Sequence, residues 1–265
     1  VKFISCNASC YKIASTENVH RSIYFEQKTV KDKPTVFNIK FSFTAFAQNF
    51  NMSDITILPY KKSSLLYKTY TREQLPHITF NSNIRKLTDE VVGNEQNPLE
   101  IVRKIYGYIC NNTIWSGAQE YSIMNCIPNY VLDNRKGDCG MQTFLFMSMT
   151  RYKGIPVRWQ SGWMLHPDEV NLHDWCEVYY EGTGWVPLDM SFQYMQSDDH
   201  RIKNFYLTGI DAYRMIVNDD IAAQFQPPKK YFRSEPYDFQ RGELEWRGGN
   251  IYFDKWDYHM DVTYK

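Results

Sequence analysis

Between Phe37 and Ala45 the chain alternates. Phe37, Ile39, Phe41, Phe43 and Ala45 are apolar, and Asn38, Lys40, Ser42 and Thr44 between them are polar. A period of two is the pattern of a strand with one face buried. Ser22–Lys28 and Ile55–Tyr60 read as partner strands, set off by turn-rich Lys31-Asp32-Lys33-Pro34 and by Asn49–Asp54. Residues 10–80 thus predict a small antiparallel β-sandwich.

The period then lengthens. Ile84, Leu87 and Val91 share a helical face, and Gly93 supplies a stop. Asn97-Pro98-Leu99-Glu100 is a helix start: Asn caps, Pro takes the first helical position and Glu reaches back. Ile101, Ile105, Tyr108 and Ile109 form its buried stripe. Residues 111–135 read as loop, with a short helix begun by Pro128. A helix capped by Asp138 begins near Cys139, apolar on all sides through Met141, Phe144, Leu145, Phe146, Met147 and Met149, which predicts a buried central helix. Gly154 and Pro156 end it, and strand-like Val157–Leu165, Leu172–Glu181 and Gly184–Phe192 follow. A buried helix followed by antiparallel strands is an α+β arrangement. Residues 200–265 read as further strands and long loops.

The 265 residues carry 30 Lys+Arg against 30 Asp+Glu, for a formal net charge of zero. A protein built on phosphate backbones needs a basic excess, so nucleic acid is not an expected partner. No stretch has the length and apolarity of a transmembrane segment. Aromatic residues make up 16% of the chain, which fits either an aromatic-rich β core or a cleft lined for a peptide or sugar. The cysteines are Cys6, Cys10, Cys110, Cys126, Cys139 and Cys176; they show no CxxC pair, and no metal or other cofactor is expected. The residues before Cys6 or Cys10 read as the tail of a lipoprotein signal or as an ordinary N-terminus. A lipid anchor near either cysteine, and a periplasmic or extracellular location, are the corresponding expectations.

Gly137-Asp138-Cys139-Gly140 places a thiol at the first turn of the buried helix. The partial positive charge there favours thiolate, and free backbone N–H groups can receive an oxyanion. A buried small hydrophobe is the alternative reading of this cysteine. On strand-like Leu172–Tyr179, His173 and Trp175 share one face, and Asp174 and Cys176 the other. Asp189 ends the next strand, at nearly the same distance as His173 from a turn at Glu181–Gly184. A helix-terminal Cys, a His on a facing strand and an orienting Asp are the parts of a thiol acyl-transfer triad. The same residue types could bind zinc, but Cys176 points away from His173.

These blocks resemble the transglutaminase-like superfamily. The matching residues are Lys136-Gly137-Asp138-Cys139-Gly140, Arg151–Arg158, Ser161-Gly162-Trp163, His173-Asp174-Trp175-Cys176-Glu177-Val178-Tyr179 and Gly184-Trp185-Val186-Pro187-Leu188-Asp189. The resemblance implies a papain-like core, a central helix packed on an antiparallel sheet. It makes Cys139 the nucleophile, His173 the general acid/base and Asp189 the orienter. The whole chain is also similar to Bacteroidetes-type transglutaminase-like proteins with a β domain before the core. That similarity rests in the tail on Arg233-Ser234-Glu235, Asp238–Glu243 and Gly248–Phe253. It implies a β-sandwich domain over 1–80 and a catalytic domain over 81–265 with a strand-rich C-terminal extension.

The implied reaction is attack on a carboxamide or peptide bond through a thioester, completed by water or by an amine. The implied substrate is a protein, peptide or peptidoglycan-like amide. Where the family often has a small residue after the His, this chain has Asp174, which would raise the pKa of His173 or face solvent. Trp115 is the candidate indole donor to an oxyanion, or else a core aromatic. Trp163 and Trp175 are candidates to line the substrate cleft, or packing residues. Cys139 is expected to be the most reactive of the six thiols. The alternative function is an inactive module binding a glycan or protein partner.

Overall fold

The computed structural model describes residues 1–221 and 223–265. The first 64 residues form ribbons. Strand β1 (Lys2–Cys6) pairs antiparallel with β4 (Ile39–Ser42), and β2 (Cys10–Ile13) with β3 (Ile23–Glu26). Strand β5 (Gln48–Asn49) pairs with a short strand far along the chain, Gly209–Ile210. Each of these ribbons is a sheet of two strands. The alternation expected over 37–45 holds only from residue 41: Phe41, Phe43 and Ala45 are half-buried between exposed polar neighbours, while Phe37 and Ile39 are exposed. The Phe41 ring lies 5.7 Å from that of Trp163. Ile55–Tyr60 is not a strand. Its backbone crosses the tip of a later hairpin, where Leu58 N–H donates to the Glu181 carbonyl at 2.7 Å.

After α1 (Leu65–Tyr70) come the predicted helices, ended and begun by local chemistry. Asn81 caps α2 (Ser82–Val92), and Gly93 leaves it at φ 61°. Asn97 Oδ1 accepts from Leu99 N–H at 2.9 Å to start α3 (Pro98–Asn112). In α3 the core side is taken by Ile101, Val102, Ile105, Tyr106 and Ile109, while Tyr108 is only half-buried. A short strand β6 (Ile114–Trp115) leads through a loop to α4 (Ile127–Asn134) and β7 (Lys136–Gly137).

Helix α5 (Cys139–Tyr152) is central. Every residue from Gly140 to Arg151 is buried, as its uniform apolarity requires. Arg151 is tolerated inside because its guanidinium donates to the carbonyls of Val157 and Arg72 and to Gln74 Oε1. Against α5 lies a four-stranded antiparallel sheet of β8 (Val157–His166), β9 (Glu169–Tyr180) and β10 (Gly184–Leu188), with a fourth strand from the tail. After α6 (His200–Lys203) and β11 (Gly209–Ile210), that strand, β12 (Arg214–Asn218), extends the sheet beside β8. The sheet order is β10-β9-β8-β12. Trp159 of β8 stacks on Phe144 of α5 at 4.5 Å, sealing helix to sheet. Residues 223–243 then run back over the open end of α5, and a hairpin of β13 (Leu244–Trp246) and β14 (Gly249–Ile251) follows. Among the described residues no helix is long and apolar enough to cross a membrane.

Candidate active site

Two neighbouring residues of β9 divide the site. In the β8–β9 register Gly162 stands opposite His173 and Ser161 opposite Asp174, so their side chains leave opposite faces of the sheet. His173 Nε2 lies 2.7 Å from Asp189 Oδ2. Asp189 ends β10 and caps the turn Met190–Phe192, its Oδ1 accepting from Ser191 N–H at 3.1 Å. Arg214 of β12 donates from Nη1 to Asp189 Oδ2 and from Nε to Asp211 Oδ2, each at 2.9 Å. Burial alone would raise the Asp189 carboxyl, but the charges of His173 and Arg214 outweigh it and hold the group well below the usual carboxylate range. An ionised Asp189 can only accept, so His173 Nε2 is the donor in this contact.

The imidazole is clamped by rings. Trp175 stacks 6.0 Å away and Phe192 meets it edge-on at 5.5 Å. Trp175 is 0% exposed and donates from Nε1 to Gln160 Oε1 at 2.7 Å. It backs His173 from the interior, and the expectation that it lines an open cleft is corrected. Trp163 is half-buried, its Nε1 donating to the Gln240 carbonyl at 2.8 Å. Its indole N–H is therefore committed to the C-terminal segment.

Cys139 is the first residue of α5, behind the cap in which Asp138 Oδ1 accepts from Met141 N–H at 2.9 Å. Its Sγ donates to Asp174 Oδ2 at 3.5 Å. Burial, then the carboxyls of Asp174 and Asp138, push the thiol well above its ordinary range. The expectation of a thiolate favoured by the helix terminus is thus reversed. Asp174 neither faces solvent nor flanks the His173 ring; it is buried against the helix start. A Cβ on Gly140 would stand 2.6 Å from Asp174 Oδ2 and closer still to the Tyr121 hydroxyl, so this approach admits only glycine.

Trp115 is not a core aromatic. It is 63% exposed, on a parallel pair in which β6 sets it opposite Gly137 of β7. That register puts a free indole beside the segment entering Cys139. The six cysteines are all unpaired; Cys6 is partly buried and Cys10 exposed. Among the described residues no group of three His, Cys, Asp or Glu side chains is placed to hold a metal ion.

Residues 85–190 match the family model described as the transglutaminase-like superfamily. The matched stretch contains Cys139, His173 and Asp189. The chain is 22% identical over 171 residues to the uncharacterized protein YebA of Bacillus subtilis (strain 168), across 52% of this chain and 23% of YebA. It therefore spans under a quarter of the length of that relative. Among solved structures, a candidate cysteine protease from Cytophaga hutchinsonii superposes with a TM-score of 0.44 at 19% identity, covering 55% of this chain and 48% of the other. The periplasmic domain of TgpA from Pseudomonas aeruginosa gives 0.40 at 22%, covering 52% and 50%.

Two residues around the site were not anticipated, and both come from beyond residue 190. Arg214 braces Asp189. Gln240 Nε2 donates to the His173 carbonyl at 2.8 Å and to Asp174 Oδ1. An arginine at the head of the apolar run Met215-Ile216-Val217, three residues after Asp211, is a signal of a buried ion pair. Gln240 lies in a tail motif that carries no chemical signature.

Proposed function

We propose that this chain is a transglutaminase-like thiol enzyme that opens carboxamide or peptide bonds through a thioester on Cys139. The observation that carries the reading is the buried His173–Asp189 contact at 2.7 Å, on the sheet that packs against the helix Cys139 begins. Cys139 gives up its S–H proton to a general base, the role assigned to His173, and Sγ attacks the carbonyl carbon. The C–N bond breaks as His173 gives a proton to the departing amine or ammonia, and Asp189 keeps the imidazole oriented. The Cys139 backbone N–H and the exposed Trp115 indole are the proposed donors to the oxyanion. Water then yields an acid, or a primary amine yields a new amide. The proposed substrate is a protein or peptide, met outside the cytoplasm.

A second reading, an inactive module that binds a protein or glycan partner, is favoured by one observation: the thiol contacts Asp174 in the resting structure. Turnover separates the two. Glutamine-bearing peptides are incubated with the protein, with and without a primary amine, and products are resolved by mass. Hydrolysis or amine adducts that vanish in Cys139→Ala support the enzyme; turnover unaltered in Cys139→Ala overturns the nucleophile assignment.

A further inference from the structure

The carboxyl that meets the thiol is held from several sides. Asp174 is 3% exposed. Gln240 Nε2 ties its Oδ1 to the tail, and the Tyr121 hydroxyl stands 3.5 Å from its Oδ2. That hydroxyl donates to Asp138 Oδ1 at 2.6 Å, so the helix cap and Asp174 are bridged by one phenol. The charges facing this contact are mostly negative. Asp138 reaches it from the start of α5, Asp238 and Glu235 from the tail, and Asp189 acts on the thiol from the end of β10. The cations Arg241 and Arg233 act on Asp238. His173 lies on the other face of β9.

We propose that Asp174 is a positioning residue that sets the protonation state of Cys139, holding the nucleophile as its thiol in the resting protein. The S–H donates to the carboxyl, which burial and then the carboxyls of Asp238 and Asp138 push well above the usual carboxylate range; once the first proton has left, the pair carries one negative charge between them. Ionising the thiol beside an ionised Asp174 would set two negative charges 3.5 Å apart. The S–H bond therefore breaks only as its proton passes to a base, or once Asp174 has itself taken up a proton. Where the family often has a small residue, this chain thus has a brake on thiolate formation. The catalytic consequence rests on the reading of Cys139 as nucleophile; the protonation itself does not.

The test is alkylation of the full chain by iodoacetamide across pH, with each cysteine followed by its peptide mass and exposed Cys10 as internal reference. In the unaltered protein the midpoint for Cys139 is expected above that for Cys10. Asp174→Asn and Asp174→Ala should lower it by about one pH unit or more, seen as roughly tenfold faster labelling of Cys139 below the midpoint. Asp174→Asn keeps the side-chain volume, and a midpoint is insensitive to a change in access alone. A wild-type midpoint at or below that of Cys10, or an unshifted midpoint in a folded variant, overturns the proposal. If neither variant folds, the wild-type comparison decides. Labelling requires no turnover, so a failed amide assay and a failed brake are distinguishable.

Discussion

Replacing Arg214 with leucine takes a guanidinium from between two carboxylates and leaves most of its aliphatic bulk in place. Its side chain is 2% exposed and that of Asp189 fully buried, with both ion-pair contacts at 2.9 Å. Removing one partner of a buried pair costs about 3–5 kcal/mol, because the remaining charge stays in a site that water does not reach. Asp211 is the more accessible partner, and His173 still compensates Asp189, so the lower end, ~3 kcal/mol, is expected. Urea unfolding followed by tryptophan fluorescence measures it, with the slope unchanged. The deficit also carries a pH signature. In the native protein the Asp189 carboxyl is held low, which contributes stability above the unfolded carboxylate pKa and loses it as pH falls. The variant lacks much of that contribution, so its deficit should be largest near about pH 7 and shrink toward about pH 4, as the stranded carboxylate takes up a proton. Adding Asp189→Asn to Arg214→Leu should recover part of the loss. A deficit below ~1 kcal/mol near neutrality, or one of equal size at both pH values, would refute the assignment of Arg214 as the brace of Asp189.

Other consequences can be checked independently. Asp238 is pushed up to about 6 and Glu235 to about 8, each chiefly by burial. Carboxyls raised in the fold contribute stability below their unfolded pKa and lose it as pH rises through the folded value, so melting temperature should fall from about pH 5 to pH 8, and Glu235→Gln should flatten the slope; a profile flat or rising over that window contradicts the buried-acid account. Trp115→Phe should leave melting unchanged, since the indole is exposed, and lower kcat more than it raises KM; a loss of folding would instead make it a packing residue. Phe144→Ala should cost about 3–5 kcal/mol in urea unfolding, because its ring is fully buried between α5 and Trp159.

What the sequence discloses divides along local and distant causes. The starts of α3 and α5 were legible because Asn97 and Asp138 cap within their own first turns. The His173–Asp189 pair was legible because a single hairpin brings them together: Leu188 stands opposite Cys176, and the next residue reaches back to the histidine. The neighbours of the N-terminal ribbons were not legible because alternation reveals a half-buried face without revealing what covers it. Phe41 packs on Trp163, and Ile55–Tyr60 follows the β9–β10 turn instead of forming a strand. Arg214 and Gln240 reach the site from the tail, and no local period encodes such an approach.

The protonation of Cys139 shows how a sound local argument is overruled. A helix N-terminus stabilises a nearby negative charge by about 0.3–1 kcal/mol, and by ~2 kcal/mol in favourable sites. Two unit charges separated by the 3.5 Å between Cys139 Sγ and Asp174 Oδ2 repel by about 5 kcal/mol at an effective dielectric constant of about 20. Where Asp174 is ionised the repulsion wins on those magnitudes even before burial is counted, and because burial and neighbouring carboxyls push that carboxyl up as well, the pair gives up its protons late and one at a time. The alternation of β9 therefore does more than present a histidine. On one face it gives His173 an acid whose charge is balanced by Arg214; on the other it gives Cys139 an acid surrounded by further acids. The first arrangement keeps an imidazole oriented, and the second holds the proton of a thiol at the helix start.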